Sequence, residues 1–160
     1  MPDHLVPDEG LRDRTIGQAL AGDISGARQT IGGMADRRYV SEAWRAILTI
    51  QTYRGDVEGV EETIISCPDN SLLYSHQYRE LPLDFARAGD VSGAIAIAKA
   101  MGSWGKLPLL MIPLGLAEKG DFVAAREAMS QIENEADRNM IEKCVDERQR
   151  KNSPEKSGQH

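Results

Sequence analysis

Apolar residues recur along the chain at intervals of three and four positions, a spacing that predicts α-helices. In the segment from Tyr39 to Arg54, for example, Trp44 is followed by Ile47 and Leu48. Side chains at this spacing lie on one face of a helix, where they can be buried together. Because the same pattern recurs through most of the chain, we predict an all-α fold.

A Gly-Asp step divides the helical stretches into pairs. The step occurs four times, at intervals of 33, 34 and 31 residues: Gly22-Asp23, Gly55-Asp56, Gly89-Asp90 and Gly120-Asp121. Glycine can adopt the left-handed conformation that closes a helix, and an aspartate after it can accept hydrogen bonds from the N–H groups that open the next helix. Each step therefore predicts a tight turn between two antiparallel helices.

The segments that follow the four steps align without gaps. The residue five positions after each glycine is small in three cases and a valine in the fourth: Ala27, Val60, Ala94 and Ala125. Small side chains at this position let the second helix of a pair approach the first. A helix pair leaves an apolar face that only the next pair can cover, so the repeated pattern predicts stacking of pairs.

In these features the chain resembles the tetratricopeptide-repeat family, whose 34-residue unit contains a helix A, a turn and a helix B. A bulky residue stands eleven positions before each glycine: Leu11, Trp44, Tyr78 and Leu109. The resemblance extends over about residues 8–150. It implies a solenoid of αα-hairpins wound into a right-handed superhelix, with about four helix pairs and a C-terminal capping helix.

On this basis we expect one repeat domain over residues 8–151, between flexible tails at residues 1–7 and 152–160. The expected segments of the domain are repeats at 8–36, 37–70, 71–103 and 104–134, and a cap at 135–151. The A helices are expected at 8–21, 37–54, 71–88 and 104–119.

Two prolines occupy equivalent positions in the third and fourth expected repeats. Pro82 and Pro113 lie seven residues before their glycines, where each should kink an A helix and free a backbone carbonyl. The kinks either set the curvature of the superhelix or offer carbonyls to a ligand.

Cys67 and Cys144 are expected to be buried apolar residues rather than a disulfide. In the cap, the expected apolar stripe consists of Met140, Ile141, Cys144 and Val145.

The family resemblance implies a binding groove lined by the A helices, which would hold a peptide or a partner helix. Arginines stand ten positions before the first three glycines, where they could pair with carboxylates of a ligand. The alternative is that they form ion pairs with Glu9, Glu42 and Glu80 on a solvated surface. The expected partner-binding residues are Arg12, Glu42, Arg45, Thr49, His76, Arg79, Leu107, Leu110 and Leu114.

The corresponding surface of the fourth repeat is apolar rather than charged. Leu107, Leu110, Met111 and Leu114 occupy the positions that hold polar side chains in the first half of the chain. A contiguous apolar surface of this kind is a candidate for docking or self-association. Alternatively, the C-terminal helix covers it, because the end of a solenoid needs a cap.

Composition narrows the class of protein. Apolar residues make up 41% and charged residues 28%, as in folded globular chains. The net charge of −6 disfavours general binding to nucleic acid and to anionic membranes, since both require positive surface. The longest apolar run, residues 107–117, is too short to span a bilayer and contains two prolines. Because the first residues do not resemble a signal peptide, we expect a cytoplasmic protein.

Catalytic chemistry finds little support in the sequence. His4 and His160 fall in the expected tails, and His76 stands beside Ser75 on an expected helix, where adjacent residues do not face one another. No metal-binding, phosphate-binding or nucleophile motif is present, so we expect no cofactor, no metal and no enzyme activity. The leading hypothesis is a scaffold that binds a protein or peptide. The alternatives are a homo-oligomeric structural protein that uses the fourth repeat and, with least support, a protein that binds single-stranded RNA.

Overall fold

A computed structural model describes residues 6–68, 72 and 76–153, and these ranges contain helices but no strand. The expected all-α class is therefore confirmed for this part of the chain. The helices are α1 (Asp8–Leu20), α2 (Ile24–Ile31), α3 (Arg37–Tyr53), α4 (Val57–Ser66), α5 (His76–Arg79), α6 (Leu81–Arg87), α7 (Val91–Ala100), α8 (Lys106–Glu118), α9 (Phe122–Met129) and α10 (Glu135–Lys151). A 3-10 helix, Gly102–Gly105, precedes α8. His4, Ser75, His160 and most of both expected tails lie outside the described residues.

The four Gly-Asp steps form the predicted turns. The glycines have positive φ angles of 90°, 67°, 96° and 84° in chain order. Each aspartate side chain accepts a hydrogen bond from the backbone N–H three residues later, at 2.8–3.1 Å. Its own N–H donates to the carbonyl five residues back and closes the preceding helix. The local sequence thus determines where each second helix begins: at Ile24, Val57, Val91 and Phe122.

The chain divides into two compact units, of which the first is Met1–Tyr78. In this unit α1 packs against α2, and α3 contacts both of them as well as α4. The small or β-branched residues of the aligned column, Ala27 and Val60, are completely buried. Ile47 and Leu48 of α3 are likewise inaccessible to solvent, which places the core of this unit along α3.

The second unit is Arg79–His160, and its helices pack in a similar order. α6 pairs with α7 and α8 pairs with α9, while α8 also contacts α6 and α7. α10 packs on α8 and α9. The core of this unit includes Ala94, Ile97, Ala125 and Val145, all fully buried.

The third A helix differs from the prediction. Instead of one kinked helix over 71–88, the described residues form a short α5 and a separate α6, with Glu80 between them. Pro82 lies in the first turn of α6, where its missing N–H costs no hydrogen bond. The predicted mid-helix kink at Pro82 is therefore wrong, because proline can begin a helix as well as distort one. Pro113 does lie inside its helix, α8.

The expected apolar stripe of the cap is only half buried. Ile141 and Val145 are inaccessible in α10, whereas Met140 is 51% exposed and Cys144 is exposed. The prediction that Cys144 is buried is wrong, since α10 is covered on one side only. Cys67 is buried, as expected.

Candidate partner-binding surface

Helix α8, which lies within the segment expected to form the fourth A helix, exposes apolar side chains to solvent. Leu107 is 64% exposed and Met111 is 41% exposed, while Leu110 and Leu114 are half-buried beside them. We call these four residues the α8 stripe. They are spaced by three and four positions and therefore share one side of the helix.

The core-facing side of α8 explains why the stripe remains exposed. Ile112 and Leu116 are buried, and α10 packs against α8. α10 nevertheless leaves Leu107 and Met111 accessible, so the alternative that the C-terminal helix covers this surface does not hold for these two residues. α8 is apolar on two sides, of which one has no cover in the described chain.

A cleft of about 670 Å³ adjoins the stripe, and Leu110 belongs to both. The cleft lies between the end of α7, the start of α8 and the connection from α9 to α10. Its apolar lining consists of Ala98, Leu109, Leu110 and Ile132. Apolar walls with a few polar groups are typical of binding clefts in proteins.

Charged groups of both signs line the same cleft. Lys99 donates a hydrogen bond to the side-chain carbonyl of Gln131 at 2.7 Å. Lys106, Glu133 and Asp137 also line the cleft, and none of them forms an ion pair within the ranges described above. A ligand that carries both an acidic and a basic group could therefore pair with Lys106 and with Glu133 or Asp137, which form no ion pair among the described residues.

One wall of the cleft depends on the absence of a side chain at Gly105. This residue ends the 3-10 helix and is buried against the backbone of Ala98 in α7. A Cβ atom added at position 105 would collide with the Ala98 carbonyl group. Glycine is therefore required for α8 to start this close to the end of α7.

Arg79, which belongs to the same unit, is held by an aromatic ring. Its guanidinium carbon lies 5.5 Å from the centroid of Trp104, a distance typical of a cation–π contact. Its Nε atom is buried and has no hydrogen-bond partner in the described chain. Trp104 did not figure among the expected site residues, although aromatic residues are rare in the sequence.

The expected ion-pair alternative is observed for Arg12. Its guanidinium lies 3.0 Å from Glu42, 2.8 Å from Asp13 and 3.7 Å from Glu9. Hydrogen bonds to Asp13 and then to Glu42 raise the pKa of Arg12 above its usual value. Arg12 thus connects α1 to α3, and its charge is already compensated within the first unit.

The remaining expected residues are accessible but not assembled into a cluster by the contacts described. Arg45 is exposed and has no ion-pair or hydrogen-bond partner in the described chain. Thr49 is exposed, with its hydroxyl 3.3 Å from the hydroxyl of Tyr78. His76 is exposed in α5. Arg12 and Arg45 belong to the first unit, and Arg79 belongs to the second.

The described residues contain neither a metal-binding group nor a membrane-spanning helix. No group of three histidine, cysteine, aspartate or glutamate side chains is arranged to hold a metal ion. Within the same residues, no helix combines the length and apolar character needed to cross a bilayer.

Comparison with known proteins adds no assignment. No protein-family model matches the sequence, and neither the curated proteins nor the solved structures include a significant match. The candidate surface therefore has to be interpreted from its own geometry.

Proposed function

We propose that the protein is a non-catalytic scaffold that binds a peptide segment of a partner protein on the α8 stripe and in the adjoining cleft. The observation that carries this proposal is the continuity of the two features through Leu110. An exposed apolar stripe loses contact with water when a partner covers it, which favours binding by about 25 cal/mol for each Å² buried. The cleft adds Lys106, Glu133 and Asp137, which form no ion pair among the described residues and can orient the ligand.

A tetratricopeptide-like solenoid is part of the same proposal. Within each unit, the A helix that follows a pair contacts both helices of that pair: α3 contacts α1 and α2, and α8 contacts α6 and α7. This order of packing supports stacked hairpins. Stacked helices offer a preformed surface, so that the peptide bears most of the entropy lost on ordering.

The ligand should carry apolar anchors and charges of both signs. Leu107 and Met111 present apolar surface on one helix side, which fits the anchors of an amphipathic helix or of an extended peptide. Lys106 can pair with an acidic group of the ligand, and Glu133 or Asp137 with a basic one. The net charge of −6 does not favour single-stranded RNA as the ligand.

The proposal can be tested with a phage-displayed library of random peptides, selected on the intact chain. The affinity of selected peptides is then measured by fluorescence anisotropy for the wild type and for Leu107→Asp combined with Met111→Asp. Two charges in the apolar contact should weaken binding by at least about tenfold.

Val123→Asp is the matched control. Val123 is 81% exposed on α9, in the same unit but not in the stripe, so this variant should bind the peptides like the wild type. A library that enriches no peptide would contradict the proposal. Peptides that bind the double variant as well as they bind the wild type would contradict it too.

A further inference from the structure

The exposed side of α10 has a symmetrical pattern around Met140. Ala136 and Cys144 stand four positions before and after it, and both are exposed. Asp137 and Lys143 stand three positions before and after it and carry opposite charges. Read in either direction from Met140, the helix therefore shows an apolar centre, a charged residue and a small residue, with the sign of the charge reversed.

A second copy of the same helix, running antiparallel, complements this pattern. In such a pair a residue three positions before the centre lies level with the residue three positions after it in the other copy. Asp137 then lies within reach of Lys143 of the second copy, and the reverse contact forms at the other end. The small residues at the flanking positions let the two helices approach, and the two Met140 side chains meet at the centre.

The two charged residues that this pairing uses differ from other charged residues of α10. Asp137 and Lys143 form no ion pair in the part of the chain described. Other charged residues of α10 are already engaged: Asp146 lies 3.0 Å from Arg126, and Glu147 lies 3.1 Å from Lys151. Glu133 precedes the start of α10, and Lys151 already compensates the charge of Glu147.

We propose that α10 forms a homodimer contact with α10 of a second copy, antiparallel and centred on Met140. This proposal uses none of the residues of the α8 stripe and shares Asp137 with the adjoining cleft, and it does not depend on peptide binding there. A single pair of helices buries a small area, so the dimer is weak and its population depends on protein concentration.

Sedimentation velocity over a range of concentrations tests the contact. The wild type should pass from monomer to dimer as concentration rises, and Met140→Asp should remain monomeric. Val123→Asp, which adds the same charge at an exposed apolar position of α9, should dimerise like the wild type. A wild type that stays monomeric at every concentration overturns the proposal, as does a dimer that tolerates Met140→Asp.

Charge reversal tests the orientation. Asp137→Lys or Lys143→Asp alone replaces two attractive pairs by two repulsive ones and should weaken the dimer about tenfold. The two substitutions together restore opposite charges across the contact and should recover wild-type dimerisation within about a factor of two. Because Asp137 also lines the cleft, this recovery separates a dimer contact from an effect on the cleft. A double variant no better than the single variants overturns the antiparallel arrangement.

Cross-linking gives a second measurement of the same geometry. With Ala136→Cys, the new thiol and Cys144 of the second copy should be joined by a short bis-maleimide. In Ala136→Cys combined with Cys144→Ser, only the thiols at position 136 of the two copies can react with each other. In the antiparallel pair they are offset along the helix direction by the rise of eight residues, about 12 Å, and should cross-link poorly. Equal yields from both variants would contradict the antiparallel contact.

Discussion

The first and second units use the same turn but join their paired helices in different ways. In the first unit, each turn glycine is preceded by a glutamine four positions earlier and followed by a threonine eight positions later. Thr30 donates to the side chain of Gln18 at 2.7 Å, and Thr63 donates to Gln51 at 2.6 Å. In the second unit the equivalent positions hold only buried apolar residues: Phe85 with Ile97, and Leu116 with Ala128.

The difference separates what determines the hairpin from what stabilises it. A buried side-chain hydrogen bond contributes about 0.5–1.5 kcal/mol net, but leaving either group unpaired costs more. Gln51 and Thr63 are almost completely buried, and Arg28 also donates to the Thr63 hydroxyl at 3.0 Å. The first unit thus fixes the register of α3 and α4 by directional bonds, whereas the second depends on shape and apolar area.

The same contrast extends to the exposed surfaces of α1, α3 and α8. In the first unit, α1 is connected to α3 by the ion pair of Arg12 with Glu42. In the second unit, α8 presents Leu107 and Met111 to solvent instead. The proposed binding surface therefore belongs to the second unit, which has apolar residues both at the buried paired positions and on the exposed side of α8.

The largest effect expected from this comparison is at Phe85. Phe85→Ala removes a buried aromatic side chain from the second unit and should lower the free energy of unfolding by about 3–5 kcal/mol. The measurement is urea unfolding followed by the fluorescence of Trp104, in a background that carries Trp44→Phe. Trp44 is the other tryptophan of the chain, and its indole nitrogen is buried without a hydrogen-bond partner in the described residues. Phenylalanine at position 44 should therefore be tolerated.

Tyr53→Ala serves as the control for Phe85→Ala. Tyr53 is 93% exposed, so removing its ring should change the free energy of unfolding by less than about 0.5 kcal/mol. A loss at Phe85 as small as the loss at Tyr53 would contradict the view that this position supports the second unit by apolar burial.

A smaller effect, of equal size in both units, is expected at the turns. Asp23→Ala and Asp121→Ala each remove a side chain that accepts a backbone N–H at the start of a helix, at 2.9 and 3.1 Å. Each should cost about 1 kcal/mol, measured by thermal and urea unfolding. Asp→Asn at the same positions is the control, since asparagine keeps an acceptor oxygen. A marked inequality between the two alanine variants would show that the turns are not equivalent.

The turns and the small buried residues after them could be predicted from the sequence, because both depend on neighbours within one helix pair. Gly22 and Asp23 determine their own conformation, and Ala27 is buried wherever the pair forms. Gln51 and Thr63 stand at the same distances from their turn glycine as Gln18 and Thr30 do from theirs. Without that comparison, neither residue would be identified as part of a hydrogen-bonded pair. The interruption at Pro82 was not predictable, since proline is compatible with both a kink and a helix start.

The candidate site required three-dimensional contacts that periodicity does not contain. Leu107 and Leu110 were identified from the change of character in the fourth repeat. The cleft, however, joins α7, α8 and the start of α10, which are separated in the sequence. Met140, Ile141, Cys144 and Val145 were expected to form one apolar stripe, and Cys144 was expected to be buried. α10 is covered on one side only, so half of the stripe stays exposed.

The smallest net effect is expected when both members of a buried polar pair are replaced. Thr63→Val alone removes the hydroxyl and leaves the Gln51 carbonyl buried without its donor, at a cost of about 1–3 kcal/mol. Gln51→Leu alone leaves the Thr63 hydroxyl without its acceptor, with a similar cost. The combined variant places two apolar residues where the second unit already has them, and should lie within about 1 kcal/mol of the wild type.

A double-mutant cycle, measured by urea unfolding with Trp44 as the reporter in a Trp104→Phe background, gives the coupling between the two residues. The Arg28 guanidinium also donates to the Thr63 hydroxyl and loses this acceptor in Thr63→Val. The cycle should therefore be repeated in an Arg28→Met background, which removes the guanidinium. Additive costs of the two substitutions would mean that the hydrogen bond is incidental to this packing. A coupling that nearly cancels the single costs would mean that the first unit can be built on apolar pairs like the second, and that its polar pairs determine register rather than stability.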